Sequence, residues 1–145
     1  MISHHAIKWV SIFLALILYS SCKQNTFSTS EDCTNYNYSD CNTTEPLEAG
    51  LNISLTINAE NTKVPITIYE GNIENNVIVS TDTVSTNKYN ILLPPDKYYS
   101  VKARYISGTK IVYAIGGATI KKLRNQVCDS VCWSTQDGSV NVELK

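Results

Sequence analysis

The chain has 145 residues, with 12 basic against 13 acidic side chains and a net charge of −1. That length leaves room for one modest domain, and the balanced charge implies no polyanion partner, since a nucleic-acid binder needs a basic patch to displace counterions. Its two histidines, His4 and His5, both precede the first apolar run, so a chain processed after that run has no imidazole for a Ser-His-Asp or Cys-His nucleophile or for a His-ligated metal.

Residues Met1 to Lys8 form a short n-region, and Trp9 to Leu18 (WVSIFLALIL) an apolar h-region. A spanning helix needs about 20 apolar residues, and this run stops at Tyr19-Ser20-Ser21-Cys22, so residues 1–21 read as a cleavable signal peptide. Leu18-Tyr19-Ser20-Ser21-Cys22 resembles the lipobox of bacterial lipoproteins, with Tyr19 in place of the usual Leu. The resemblance implies that the Cys22 sulfur carries diacylglycerol and that its freed amine is acylated. Each buried methylene is worth about 0.8 kcal/mol, so several chains on one residue anchor stably. Lys23 follows Cys22, not the Asp that resembles an inner-membrane retention signal. The implied location is the outer membrane, on its periplasmic or cell-surface face. Loss of Lys8 leaves eleven basic and thirteen acidic side chains on the processed chain.

Residues 22–50 are rich in Ser, Thr, Asn, Asp and Glu and lack apolar periodicity, which reads as a lipidated cysteine followed by a tether and loop. A free coil over Lys23 to Asp32 would span roughly 18 Å. With Cys22 committed to lipid, Cys33, Cys41, Cys128 and Cys132 remain, an even number that predicts two disulfides in an oxidising compartment. Their spacings match neither a zinc knuckle nor a redox C-x-x-C. Three pairings are open. Those crossing between the stem and the C-terminal loop would stabilise by about 4–5 kcal/mol in the chain-entropy model, more than the local ones, and are favoured on that ground.

Residues 51–145 carry the strands. Leu51 to Asn58 (LNISLTIN) alternates apolar and polar without a break, which predicts a half-buried strand. Pro65 to Glu70, Val77 to Thr83, Lys88 to Leu93 and Tyr98 to Ile106 follow, punctuated by Gly71-Asn72 and Pro94-Pro95-Asp96. Lys110 to Ile115, the weaker Ala118 to Leu123, and Val140 to Leu144 complete seven or eight short strands. No segment keeps helical spacing over ten residues, so the expectation is all-β: a single antiparallel sandwich of two packed sheets.

The segment Ile91-Leu92-Leu93-Pro94-Pro95-Asp96-Lys97-Tyr98-Tyr99-Ser100-Val101 resembles the L-P-x-G-x-Y-x-V hairpin of transthyretin-like, carboxypeptidase-regulatory-like and PEGA-type sandwich domains. Asp96-Lys97 stands where those domains place a turn glycine. Ile66 to Gly71 fits their preceding strand and turn. With Cys132-Trp133 before a last strand, the whole chain resembles the small outer-membrane lipoproteins of Bacteroidetes-type bacteria. The resemblance implies a fold and a location, not an activity.

Aromatic rings at Tyr69, Tyr89, Tyr98, Tyr99, Tyr105, Tyr113 and Trp133 could stack on sugars. Tyr98 and Tyr99 are adjacent on a strand and must point to opposite faces. These two and Trp133 are the candidate ligand-binding residues. Paired carboxylates for glycoside hydrolysis would have to come from acids such as Glu70, Glu74, Asp82 and Asp96, which fall at turns and strand ends. Asp82-Thr83-Val84 and Asp129-Ser130-Val131 resemble Asp-(Ser/Thr)-aliphatic O-glycosylation sites of Bacteroidetes-type bacteria, which would modify Thr83 and Ser130. Lys121, Lys122 and Arg124 form the one local basic cluster.

The expected function is that of a lipid-anchored envelope accessory module that binds protein or glycan, with no catalytic residue, cofactor or metal. A small carboxylate-dependent hydrolase or transferase, and a structural component that self-associates through strand edges, are the competing readings.

Overall fold

Alternation sets the strands, and the described residues arrange eight of them in two sheets. The computed structural model describes Cys33 and residues 38–145, and the chain divides into Met1–Tyr36 and Asn37–Lys145, of which the second is described below. Residues 1–32, on which the expected signal peptide and the expected lipid site Cys22 fall, lie outside the described residues. The strands are β1 (Ala49–Ser54), β2 (Val64–Glu70), β3 (Ile78–Val84), β4 (Lys88–Leu93), β5 (Lys97–Ser107), β6 (Lys110–Val127), β7 (Ser130–Gln136) and β8 (Gly138–Asn141). One sheet has the order β4-β1-β8 and the other β3-β2-β5-β6-β7. All pairs are antiparallel except β1 with β8, which run parallel from Leu51 opposite Gly138 to Ser54 opposite Asn141.

The inward faces follow the period of two. Leu51 and Ile53 of β1, Val64, Ile66 and Ile68 of β2, Tyr99, Val101, Ala103 and Tyr105 of β5, and Val140 of β8 are all buried in one core. Each large aliphatic among them removes about 1.5–3 kcal/mol worth of surface from water. Two buried tyrosines place their hydroxyls on backbone acceptors, as a buried phenol must. The Tyr99 hydroxyl donates to the Pro94 carbonyl at 2.8 Å, five residues upstream. The Tyr105 hydroxyl donates to the Val142 carbonyl at 2.8 Å and accepts from the Thr56 amide at 3.1 Å, which ties β5 to both chain ends of the opposite layer. Burial pushes both phenols above the ordinary tyrosine range. Asn61, also buried, exchanges a donor and an acceptor with the backbone of Ile106 at 2.9 and 2.8 Å and so pins the loop before β2.

Four boundaries differ from the sequence expectation by more than one residue. The ladder of β1 begins at Ala49 and stops at Ser54, because the Leu55 amide turns to the Asn87 carbonyl and Thr56 to Tyr105. Lys110 to Leu123 is not two strands but part of one of 18 residues. Gly116 and Gly117 serve close approach within it. A β-carbon at Gly116 would sit 2.9 Å from Val140 Cγ1, and one at Gly117 would collide with the Tyr98 ring. Ser130 to Gln136, read from sequence as a loop, is β7, a mostly polar strand without alternation to betray it. The last strand is Gly138–Asn141, ahead of Val140 to Leu144. Asp137 makes the crossing from β7 to β8: its two carboxylate oxygens accept from the Gly50 amide at 2.9 Å and the Asn52 side chain at 3.4 Å.

Strand β6 outlasts the sandwich. Its first part, Lys110 to Ile120, pairs with β5, and its second, Lys121 to Val127, pairs with β7. The second part and β7 form a hairpin arm in which no residue is fully buried. Cys41 and Cys132, 91 residues apart, are joined in a disulfide with Cα atoms 4.9 Å apart. This bond rules out the local pairing of Cys41 with Cys33 and joins the stem to the C-terminal region. Cys33 and Cys128 are disulfide-bonded as well.

Candidate functional site

The outer face of the five-stranded sheet gathers exposed aromatic, aliphatic and cationic side chains. Register places Arg104 opposite Tyr113, Lys102 opposite Ile115 and Ile106 opposite Ile111 on β5 and β6, with Thr67 of β2 flanking Lys102. The Lys102 ammonium lies 5.5 Å from the Tyr69 ring centroid and 5.7 Å from that of Tyr113, within the range of cation–π attraction. Its pKa is raised above the ordinary lysine value, first through the Tyr69 hydroxyl. Tyr69 is covered, whereas Ile111, Tyr113 and Ile115 are each more than half exposed. No acidic residue falls at the outward positions of β2, β5 and the first part of β6. A face of this kind offers flat rings, apolar edges and two cations, the chemistry that packs against a sugar ring or an apolar protein surface carrying an acid.

The structure separates the candidate ligand-binding residues. Tyr98 is 42% exposed and lies over Gly117 on this outer face, at its far end from Ile111. Tyr99 is 1% exposed; its hydroxyl is committed to Pro94, so it belongs to the core and is withdrawn as a binding residue. Trp133 pairs with Arg124 and Tyr98 with Thr119. Positions 119 and 124 are an odd number of residues apart on β6, so the two rings occupy opposite faces. Lys122 sits 5.9 Å from the Trp133 ring centroid, and the Trp133 amide donates to the Asn42 carbonyl at 2.7 Å. Trp133 thus seats the arm on the stem.

The remaining candidates are also placed. Thr83 is exposed on the edge strand β3, and Ser130 opens β7 beside the Cys128-Asp129 turn. The basic cluster is divided by strand alternation: Lys122 turns to Glu45 and Asp96, away from Lys121. Glu70 is exposed and paired with Lys97 at 2.9 Å, Glu74 lies in a short 3₁₀ turn, and Asp82 sits beside Tyr89, whose phenol is raised by burial and then by that acid. Among the described residues no group of three His, Cys, Asp or Glu side chains could hold a metal ion.

Asp96 lies in the turn between β4 and β5. It adopts φ 62°, the left-handed region that aspartate tolerates better than most residues. Its amide donates to the Ile120 carbonyl at 2.8 Å, and its carboxylate accepts from the Lys122 amide at 3.1 Å. The turn therefore keeps a glycine-like backbone and adds a side-chain clasp on the root of the arm.

Sequence reasoning named Tyr113 among the rings that could stack on sugars but did not single out Lys102, Ile111 or Ile115. The signal was present: two alternating strands flank the two-residue turn Gly108-Thr109, and that spacing alone fixes Arg104 opposite Tyr113. No family model, curated protein or solved structure matches this chain.

Proposed function

We propose that this protein is a lipid-anchored module of the bacterial outer membrane that recognises an envelope protein or glycan through the outer face of its five-stranded sheet and performs no chemistry of its own. The observation that carries the reading is the Lys102 ammonium held between Tyr69 and Tyr113 on an acid-free, half-exposed face. Pre-placed rings lose little conformational entropy on binding, and a cation among them favours a partner with a carboxylate or other acidic group. The apolar run ending in Leu18-Tyr19-Ser20-Ser21-Cys22 supports the anchor, which would hold this face near its partner at the membrane.

The test is a binding screen of the full chain against envelope glycans and envelope proteins, repeated with Tyr113→Ala and Lys102→Ala. A partner that binds this face loses about tenfold affinity or more with each substitution, on the scale of one desolvated aromatic or cation–π contact. A partner whose binding both variants leave unchanged places recognition elsewhere and overturns the assignment of the face. Intact mass of the membrane-extracted protein tests the anchor separately: an acylated Cys22 at the N-terminus is expected, and an unlipidated chain would remove the anchor from the reading.

A further inference from the structure

We infer that β6 is a self-pairing edge, and that two copies of this chain join antiparallel along Ile111 to Ile115 about a two-fold axis at Tyr113. The inference is independent of what the outer face binds.

The geometry of the β5–β6 hairpin decides which backbone groups are available. Ser107 and Lys110 close the two-residue turn Gly108-Thr109, and the closing pair of such a hairpin exchanges both hydrogen bonds. Even-numbered residues of β6 therefore bond β5, and odd-numbered ones point away from it. The Ile120 carbonyl, bonded by Asp96 on the β5 side, agrees. Beyond Ile120 the odd-numbered residues face β7, whose own closing pair is Val127 with Ser130. From Ile111 to Thr119 no strand among the described residues pairs with that side. The amides and carbonyls of Ile111, Tyr113 and Ile115 form an open row.

Exposed edges are usually protected by charge, proline or a covering segment. The other edges among the described residues have such protection: β3 carries Asp82, β4 carries Lys88, Asn42 bridges the outer side of β7 at Trp133, and β8 is only four residues long. From Ile111 to Ile120 the sequence IVYAIGGATI has no charge and no proline. Its first five residues are β-branched, aromatic or small, and each of the three outward side chains is more than half exposed. The side of the sandwich beneath this edge is also unsealed. A groove of about 440 Å³ runs between Val112–Ile115 and the tail Asn141–Lys145 of the other layer, where Ala114 and Leu144 are only partly buried against the core.

The occupant is a second copy because the edge is its own complement. Pairing about Tyr113 sets Ile111 opposite Ile115 of the second copy, Val112 opposite Ala114, and Tyr113 opposite Tyr113, with Lys110 facing Gly116. Every pair from Ile111 to Ile115 is aliphatic or aromatic and no like charges meet, the cross-strand combinations that stabilise sheets. Ile111, Tyr113 and Ile115 are the residues whose backbone groups point outward, so each of these pairs exchanges two hydrogen bonds. The axis stands perpendicular to the sheet, and the two Lys102–Tyr113 faces become neighbours on one continuous surface, an isologous closed dimer rather than an open fibre.

Sedimentation equilibrium of the full chain in density-matched detergent tests this. The wild type is expected to dimerise. I111K/I115K sets two lysines opposite each other at two places and should weaken association about tenfold or more. I111K/I115E replaces each like pair by an opposite pair and should restore association to within about threefold of wild type. As a check that needs no variant, amide exchange at Ile111, Tyr113 and Ile115 should slow as protein concentration rises. A wild type that stays monomeric with concentration-independent exchange overturns the inference. So does a dimer that tolerates I111K/I115K, or one that I111K/I115E disrupts equally.

Discussion

The sandwich body and the hairpin arm are both made of β-strand, yet they are held by different forces. The body buries Leu51, Ile53, Ile68, Tyr99, Val101 and Tyr105 almost completely. The arm, residues 121–127 with Ser130–Gln136, buries none of its side chains fully, and a two-stranded hairpin alone is marginal in water. Its order comes from cross-links: Cys41–Cys132, the disulfide at Cys128, the Asn42 bridge to Trp133, and Lys122 held to Glu45 and Asp96. The contrast teaches that strand content says little about what stabilises a strand. A segment that cannot bury apolar surface has to be fastened by covalent and polar ties.

Four experiments bear on that contrast, the largest effect first. Replacing both partners of the cross-link, Cys41→Ala with Cys132→Ala, removes a bond spanning 91 residues and should cost about 4–5 kcal/mol in the chain-entropy model. Native-state hydrogen exchange should show the arm opening first while β2 and β5 stay protected; simultaneous opening would mean that arm and body form one cooperative unit. Leu51→Ala leaves a cavity in the core and should cost about 2–5 kcal/mol in denaturant unfolding, with the disulfides intact. A smaller loss would mean that the three-stranded layer collapses around the gap.

Tyr105→Phe keeps the ring but strips the hydroxyl from the Val142 carbonyl and the Thr56 amide. It should cost about 1–3 kcal/mol and raise exchange at Thr56 without loosening the arm. The smallest effect is expected for Lys122, whose pKa is raised above 10.5 chiefly by its hydrogen bond to Glu45. A lysine with a folded pKa above its unfolded one stabilises fully below the unfolded value and loses that contribution as pH rises through the folded one. Arm exchange, corrected for the intrinsic pH dependence, should therefore be flat at neutral pH and accelerate only as pH rises beyond the ordinary lysine range. Lys122→Met should abolish that acceleration.

The candidate site was partly legible. Alternation in Tyr98 to Ile106 already set Tyr98 and Tyr99 on opposite faces; it could not say which was inward, because that depends on the layer stacked beneath. Trp133 looked like a binding residue because a lone tryptophan beside a cysteine has no periodic context. Only its pairing with Asn42 and its cover by Lys122 reveal a fastening. Lys102 and Tyr113, eleven residues apart, meet through hairpin register, which the turn Gly108-Thr109 encodes but strand periodicity alone does not.

The sequence by itself determined the strand-forming runs of the body, the inward side of β1, the turn at Pro94-Pro95-Asp96 and the presence of disulfides. These are local properties, written in a period of two, in turn chemistry and in the four cysteines downstream of Cys22. The tertiary structure decided the parallel docking of β8 beside β1, the fusion of two expected strands into β6 across Gly116-Gly117, the existence of β7 and the Cys41–Cys132 pairing. Those are choices among distant partners. Loop-closure entropy grows only as the logarithm of the separation, so chain distance scarcely ranks them, and packing of the assembled layers makes the selection.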